Sequence, residues 1–215
     1  MDRVVKSEIL IVHLKEKKMN DYKVPAWAWE FHGHRCPFMP LGYRMGILAM
    51  KELGVEHEKD HGFFVIPELG VGHPQTCLMD GMQIATGATY GKSLMEKTFW
   101  GKLAAVFYHP EKGAVRLSLT PEFLDEFGKQ EFFADRMKGI EPSRISVQVA
   151  DKAIEWVDAQ PDVNIFKLER LPDYKFNRVK GSFNKVKCTQ CGEYVFERYV
   201  RLVNGKPYCI PDSGY

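Results

Sequence analysis

The stretch WEFHGHRCPFMPLGYRMG, residues 29–46, places a run of candidate ligands directly before a predicted helix. Its two histidines and its cysteine, His32, His34 and Cys36, occupy alternate positions ahead of Pro37. In an extended segment alternate side chains share one face, so we expect these three side chains to point into the same space. The stretch therefore predicts a site of imidazole and thiol groups at the point where a helix begins.

Two predicted helices follow, and their packing decides whether a site forms. The first covers residues 40–53, PLGYRMGILAMKEL, with apolar residues at helical spacing and with Gly42 and Gly46 on one face. The second covers residues 77–87 and begins at a cysteine. Glycines four residues apart allow close backbone contact, and the candidate ligands converge if the two helices pack on this face with their starts adjacent. The predicted core site then consists of four residues: His32, His34, Cys36 and Cys77.

The chemistry of this site follows from the position of its thiols at helix starts. The helix dipole and the free backbone amides at a helix N-terminus stabilise a thiolate over a thiol. Cys36 and Cys77 are therefore candidate metal ligands or nucleophiles. A free cysteine that fills the core is the alternative for any one of these residues, but their clustering favours a site. Imidazole and thiolate together suit a transition metal, with zinc, iron and nickel as candidates, rather than magnesium or calcium.

The remaining elements mix strands and helices without a regular alternation. An amphipathic helix is predicted within residues 1–24, a strand within residues 62–72 and a β-hairpin over residues 102–119. Two more helices are predicted around residues 121–138 and 142–159. Because strands and helices do not alternate as in a parallel sheet, the predicted fold class is α+β.

The C-terminal segment carries a second set of metal ligands in two short pairs. Cys188-Thr-Gln-Cys191 is followed after seventeen residues by Cys209-Ile-Pro-Asp212. Two residues between the members of each pair is the spacing by which small zinc modules build a tetrahedral site. A module of about 28 residues cannot bury enough apolar surface to fold alone, so zinc would supply the missing free energy. We expect a treble-clef or ribbon-like zinc finger, with either Asp212 or a water as the fourth ligand.

Charge is unevenly distributed along the chain. Residues 166–215 carry ten Lys and Arg against five Asp and Glu, whereas the rest of the chain has an acidic excess. Such a tail contacts nucleic acid in some proteins and an acidic neighbour or only solvent in others, and charge alone does not favour nucleic acid. The chain divides into four predicted parts: an N-terminal helical segment (1–24), an α+β core (25–165), a basic linker (166–186) and the zinc module (187–215).

Composition indicates a globular protein without membrane segments. Of the 215 residues, 45% are hydrophobic and 27% are charged, which suffices for one ordinary core and an appendage. The apolar runs are far shorter than the roughly 20 residues that span a bilayer, and no secretion signal is evident. We therefore expect a cytoplasmic protein. In that compartment five cysteines, an odd number, favour metal or thiol chemistry over a disulfide framework.

Three motifs together resemble the FmdE family of formylmethanofuran dehydrogenase proteins over nearly the whole chain from residue 27 to residue 212. The first is FHGHRCP at residues 31–37, followed by Gly42 and Arg44. The second spaces polar residues and glycines regularly from Cys77 onward, and the third is the zinc module. The positions of the second motif are Cys77, Asp80, Gln83, Gly87, Thr89, Gly91 and Lys92.

The resemblance implies an α+β core, often a dimer, with a cleft lined by the motif histidines and cysteines and with a C-terminal zinc finger. It implies that Cys36, Cys77, His32 and His34 form the site. It further implies five supporting or substrate-binding residues around that site: Arg44, Asp80, Gln83, Thr89 and Lys92. The chain departs from the family pattern at Ala88, where a cysteine is frequent, and at Asp212.

Three functions are compatible with these features. The first is a metal-binding accessory protein of molybdenum, tungsten or one-carbon metabolism, whose zinc finger docks a partner such as a molybdenum or tungsten enzyme. The second is a cysteine-dependent enzyme that acts on a small anionic substrate. The third is a regulator that senses metal or redox state and binds nucleic acid through the basic tail. Glycine-faced helices, abundant aromatic residues and the family resemblance also predict a homodimer.

Overall fold

The computed structural model describes residues 10–11, 22–72, 75–179 and 181–214. The chain divides into two compact units, which we call unit 1 (residues 1–175) and unit 2 (residues 176–215). Unit 1 combines helices with an antiparallel sheet, so the predicted α+β class is confirmed.

The sheet of unit 1 has five strands in the order β1-β5-β4-β3-β2, and every neighbouring pair is antiparallel. β3 and β4 form the predicted hairpin. Side chains of β4 alternate, with Val115, Leu117 and Leu119 buried, as expected of a strand that covers a core on one face. The strands are β1 (Leu10–Ile11), β2 (Phe64–Pro67), β3 (Ala104–His109), β4 (Gly113–Leu119) and β5 (Phe166–Leu171).

Seven helices accompany this sheet in the described part of unit 1. The second is the central one, because twelve of its sixteen residues are buried and it packs against both the third helix and the sheet. Its predicted existence and its end at Gly54 are confirmed. The helices are α1 (Ala26–His32), α2 (Phe38–Leu53), α3 (Cys77–Thr86), α4 (Pro121–Phe127), α5 (Glu131–Met137), α6 (Val147–Ala159) and α7 (Asp162–Ile165).

The single helix predicted over residues 121–138 is wrong, because the chain forms α4 and α5 there. Gly128 ends α4, and Gln130 adopts an extended backbone before α5 begins. The break lets Phe127 and Phe133 pack edge to face, with ring centroids 4.7 Å apart. Aromatic packing between the two short helices thus replaces the continuous helix that local periodicity favoured.

The helix predicted within residues 1–24 is contradicted at Leu10–Ile11. These two residues form β1 and pair with Glu169 and Arg170 of β5. An open edge of β5 offers unpaired backbone groups, and pairing them stabilises a strand over a local helix. The rest of that predicted helix, up to residue 21, lies outside the described residues.

The basic linker predicted over residues 166–186 is also wrong at its beginning. Residues 166–171 form β5, which lies between β1 and β4 in the sheet. Phe166 and Leu168 are buried while Lys167 is exposed, which is the alternation of a strand with one buried face. Charge made this segment look like a linker, but its apolar positions belong to the core.

Unit 2 consists of two small hairpins, β6 with β7 and β8 with β9. Within residues 176–179 and 181–214, Cys188 is the one buried side chain. A unit with so little apolar burial needs a further source of stability. Its strands are β6 (Lys185–Lys187), β7 (Tyr194–Phe196), β8 (Arg201–Val203) and β9 (Lys206–Tyr208).

Among the described residues, no helix has both the length and the apolar character required to cross a lipid bilayer.

Candidate metal centres

The four residues of the predicted core site converge. His32, His34, Cys36 and Cys77 each offer one ligand atom, and these atoms all lie within 4.8 Å of one another. We call them the core cluster. They come from the end of α1, from the segment that leads into α2 and from the first residue of α3. The meeting of two helix starts that the sequence predicted is present, with the end of a third helix added to it.

His32, His34 and Cys36 come together through a helix end and a turn, and not through the extended segment that we predicted. His32 is the last residue of a helix, and Gly33 follows in the left-handed conformation with φ of 85°. Gly33 donates its backbone N–H to Trp29, which ends the helix and reverses the chain. The reversal brings the two imidazole rings to a centroid distance of 4.3 Å. Glycine is favoured at this turn because it lacks the Cβ that disfavours positive φ.

Close packing of α2 on α3 holds the two thiols together. A Cβ at Gly42 would overlap the carbonyl oxygen of Leu78, and a Cβ at Gly46 would lie 2.7 Å from the Cβ of Ala85. The glycine face predicted from the sequence therefore touches the neighbouring backbone directly. Since the helices meet along this face, Cys77 at the start of α3 lies beside the chain that enters α2.

The two thiols differ strongly in their protonation. A hydrogen bond from Cys36, together with His32, lowers the pKa of Cys77 to about 4 against the effect of burial. The same contact with Cys77, together with burial, raises the pKa of the Cys36 thiol well above its usual value. At neutral pH without metal the pair therefore shares one proton, and the thiolate is favoured on Cys77.

A short polar network orients His32. Its Nδ1 lies 2.8 Å from Oδ2 of Asp80, and Oδ1 of Asp80 accepts a hydrogen bond from the side chain of Gln83. Gln83 in turn accepts the backbone N–H of Tyr90 at 2.8 Å, which ties the network to the loop after α3. Burial lowers the pKa of His32, but Asp80 and Cys77 outweigh burial and raise it to about 9. Asp80 and Gln83 thus support the core cluster without joining it.

Three other predicted site residues are engaged elsewhere. Arg44 is buried and binds Asp162 at 2.5 Å, and it also donates to backbone carbonyls at the end of α6. The guanidinium of Arg44 thus ties α2 to α6 and α7, because a buried charge requires a partner. Thr89 accepts the backbone N–H of Lys92, whose ammonium donates to the carbonyl oxygen of Glu58. None of the three belongs to the four-ligand core cluster.

The residues of the core cluster fit a bound transition metal. Nε2 of His32 is buried and makes no hydrogen bond within the part of the chain that the structure describes. Its other nitrogen already contacts a carboxylate, which is the arrangement that prepares a histidine to bind a metal. The donors are sulfur and nitrogen, which zinc, iron and nickel accept.

The second cluster joins the two hairpins of unit 2. Ligand atoms of Cys188, Cys191, Cys209 and Asp212 all lie within 4.8 Å of one another, and we call these residues the terminal cluster. Oδ2 of Asp212 lies 3.2 Å from the sulfur of Cys188 and 3.0 Å from that of Cys209. Hydrogen bonds from the three cysteines hold the pKa of Asp212 below its usual value. The carboxylate therefore occupies the place of a fourth ligand.

A pocket outside both clusters was not predicted from the sequence. It has a volume of about 350 Å³ and lies on one face of the sheet. Arg116 donates to both oxygens of Glu68 at 2.7 and 2.9 Å and to Glu169 at 2.8 Å. Glu68 and Glu169 are both buried. Arg116 alternates with buried apolar residues along β4, but no local pattern indicated its partners on two other segments.

The fold and the clusters define a class: an α+β protein that brings together two sets of transition-metal ligands. The family model described as "FmdE, Molybdenum formylmethanofuran dehydrogenase operon" matches residues 31–167. This match covers more than half of the chain and contains the core cluster. The chain belongs to the FmdE family.

Two relatives place this membership in context. A probable S-adenosyl-L-methionine-binding protein of Archaeoglobus fulgidus is 31% identical over 186 residues, which cover 81% of this chain. The chain spans about half of that relative, 49% of its length. A crystal structure of a tungsten formylmethanofuran dehydrogenase FmdE-like protein from Syntrophus aciditrophicus has a TM-score of 0.53 at 20% identity. That likeness covers 86% of this chain and 92% of the other, and it shows a shared fold.

Proposed function

We propose that this protein is a metal-binding accessory protein of the formylmethanofuran dehydrogenase type, and that its core cluster binds or passes on a transition metal ion. The observation that carries the proposal is the convergence of two imidazoles and two thiols, with Asp80 already holding His32. Membership of the FmdE family supports the association with a molybdenum or tungsten enzyme.

In this proposal Cys36, Cys77 and at least one histidine hold the core metal. Zinc, iron or nickel would act there as a Lewis acid, with one position left for water, for substrate or for a receiving protein. Asp80 positions His32 through Nδ1, which leaves Nε2 as its ligand atom. Cys77 supplies a thiolate at neutral pH. Cys36 must lose its proton when the metal binds, and so must His32, whose pKa is about 9.

We further propose that zinc occupies the terminal cluster as a closed structural site with Asp212 as its fourth ligand. Two observations support it: the four donors converge, and unit 2 has almost no apolar core. The finger would dock the partner enzyme. A homodimer and a cytoplasmic location complete the proposal, and none of the five cysteines forms a disulfide, as expected in a reducing compartment.

Metal content per chain tests the proposal. Purified wild-type protein should contain two metal ions per chain, while Cys36→Ser and Cys191→Ser should each contain one. His32→Ala removes a ligand of the core cluster, and His109→Ala is its matched control, because His109 lies outside both clusters and its removal should leave two metals. One metal in the wild type, unchanged by Cys36→Ser, would overturn the proposed core metal.

The cysteine-dependent enzyme is the second candidate, and the thiolate of Cys77 beside His32 favours it. In that case the nucleophile is Cys77 rather than Cys36, because Cys36 retains its proton. Iodoacetamide separates the two functions. Rapid alkylation of Cys77 in protein that holds one metal per chain supports the enzyme, whereas protection of Cys77 in protein that holds two supports the accessory role.

A further inference from the structure

One face of the first hairpin in unit 2 combines basic and aromatic side chains. The register pairs Lys185 with Phe196 and Lys187 with Tyr194. Alternate residues of a strand point to the same side, and directly paired residues share it, so these four side chains lie together. We call them the hairpin face. Val186 pairs with Val195 and points to the other side.

The hairpin face is exposed although half of it is aromatic. Tyr194 is 60% exposed and Phe196 is 50% exposed. The ammonium groups of Lys185 and Lys187 lie 4.7 and 5.4 Å from the centroid of the Tyr194 ring. Two neighbouring rings in water, held next to two cations, contribute little to the packing of this hairpin. Their exposed apolar area is explained if they contact a ligand.

Charge in unit 2 favours an anionic ligand. Residues 176–215 contain seven Lys and Arg and three Asp and Glu. Of the three acids, Asp212 belongs to the terminal cluster, Glu197 accepts a hydrogen bond from Asn184, and Glu193 precedes Tyr194. Protein–protein interfaces are depleted in lysine at their centres. Surfaces for single-stranded nucleic acid, in contrast, combine lysine with exposed aromatic rings.

We propose that the hairpin face binds single-stranded nucleic acid. Bases stack on Tyr194 and Phe196, and phosphates contact Lys185 and Lys187. The charge of the tail alone did not favour nucleic acid as a partner. The aromatic pair beside the two lysines is the observation that favours it. This binding is separate from the proposed metal function, because it uses none of the ligands in either cluster.

Fluorescence anisotropy with a labelled oligo-dT of about 12 nucleotides tests the proposal on the zinc-loaded full chain, since binding sites of this kind span about 4–16 nucleotides. We expect Tyr194→Ala and Phe196→Ala each to raise Kd at least about five-fold. Tyr194→Phe keeps the stacking ring and should bind as the wild type does. The Lys185→Ala, Lys187→Ala double variant should reduce the slope of log K against log salt by about 1.4.

Two matched controls use residues outside the hairpin face. Tyr199→Ala removes an exposed aromatic residue, and Lys206→Ala removes a lysine from the second hairpin. Both should bind oligo-dT with a Kd within about two-fold of the wild type. Zinc content of each variant confirms that unit 2 has kept its fold, and where Tyr194→Ala loses zinc, Tyr194→Leu replaces it.

Four results would overturn the proposal. The first is an unchanged Kd in a Tyr194, Phe196 double variant that retains zinc. The second is equal affinity for a duplex of the same length, because paired bases cannot stack on these rings. The third is equal affinity for a poly-glutamate peptide, which would assign the hairpin face to an acidic protein segment. The fourth is the absence of any oligo-dT binding at low salt.

Discussion

The core cluster and the terminal cluster offer four ligands each, but their surroundings are opposite. The core cluster lies where two helices begin and a third ends, and its thiols, Cys36 and Cys77, are 1% and 6% exposed. The terminal cluster lies between two short hairpins, in a unit whose described residues include one buried side chain. Packing therefore sets the positions of the core ligands, whereas unit 2 has little besides its ligands to fix its conformation.

This difference separates two uses of a metal. Ligands that the fold already holds can bind and release an ion without unfolding, which suits a site that acts or passes a metal on. Ligands that only the metal holds together make its binding free energy part of the folding free energy. The two clusters should therefore respond differently to every treatment that removes metal or loosens packing.

Removing metal should have the largest effect. With a strong chelator, we expect unit 2 to unfold while unit 1 remains folded, since structural zinc contributes about 10–16 kcal/mol in small zinc modules. In nuclear magnetic resonance spectra, amide signals of residues 181–214 should collapse to random-coil positions and return on addition of zinc. Dispersed signals from unit 2 in metal-free protein would show that its fold does not depend on zinc, and would contradict the difference between the two clusters.

Arg44→Ala should have the next largest effect, and it should act on unit 1 alone. It leaves Asp162 buried without its ion-pair partner, which costs about 3–5 kcal/mol. Chemical denaturation followed by near-ultraviolet circular dichroism measures this loss. Lys129→Ala removes a cation from an exposed pair with Glu126 and should cost less than about 1 kcal/mol. Wild-type stability in Arg44→Ala would instead support the substrate-binding role that the family resemblance implied.

Gly42→Ala should loosen the packing that positions the core ligands. The added Cβ overlaps the carbonyl oxygen of Leu78, so α3 must move, at a cost of about 1–3 kcal/mol. Displacing α3 also displaces Cys77, and we therefore expect the core metal to bind more weakly and the terminal metal to be unaffected. Gly91→Ala is the control, because nothing lies within 4 Å of its Cβ. Weakened binding of the terminal metal in Gly42→Ala would contradict the independence of the two clusters.

Acid should produce the smallest effect, through Glu169 in the sheet. Burial raises the pKa of Glu169, but its bonds to Lys167 and Arg116 outweigh burial and lower it below 4.5. A lowered pKa contributes stability that is complete above the pKa of the unfolded chain and is lost as the pH falls through the folded value. The difference in unfolding free energy between wild type and Glu169→Gln should therefore shrink as the pH falls below 4.5. Glu111→Gln, at an exposed turn, is the control, and a pH-independent difference for Glu169→Gln would contradict this origin.

Much of the site could be read from the sequence because its signals are local. Helix starts, capping glycines and the face that carries Gly42 and Gly46 are properties of neighbouring residues, and the structure confirms them. The spacing within each short ligand motif was local as well, whereas the approach of Cys77 to Cys36 was inferred from helix packing and from the family resemblance. The ligand atoms of both sets do converge. We predicted that His32 and His34 lie close together, but for the wrong reason. Their rings are brought together by the turn at Gly33 after a helix, and not by an extended segment.

Local patterns along the chain were therefore enough for the α+β class, the main helices and hairpin, and the two sets of candidate ligands. The folded chain was needed to establish that residues 166–171 join the sheet, that Arg44 binds Asp162 and that Asp80 holds His32. The cause is distance along the chain. Arg44 and Asp162 are 118 residues apart, and a buried charge takes the partner that packing brings to it. Local spacing reveals which groups a residue carries, but contacts between distant segments decide what those groups touch.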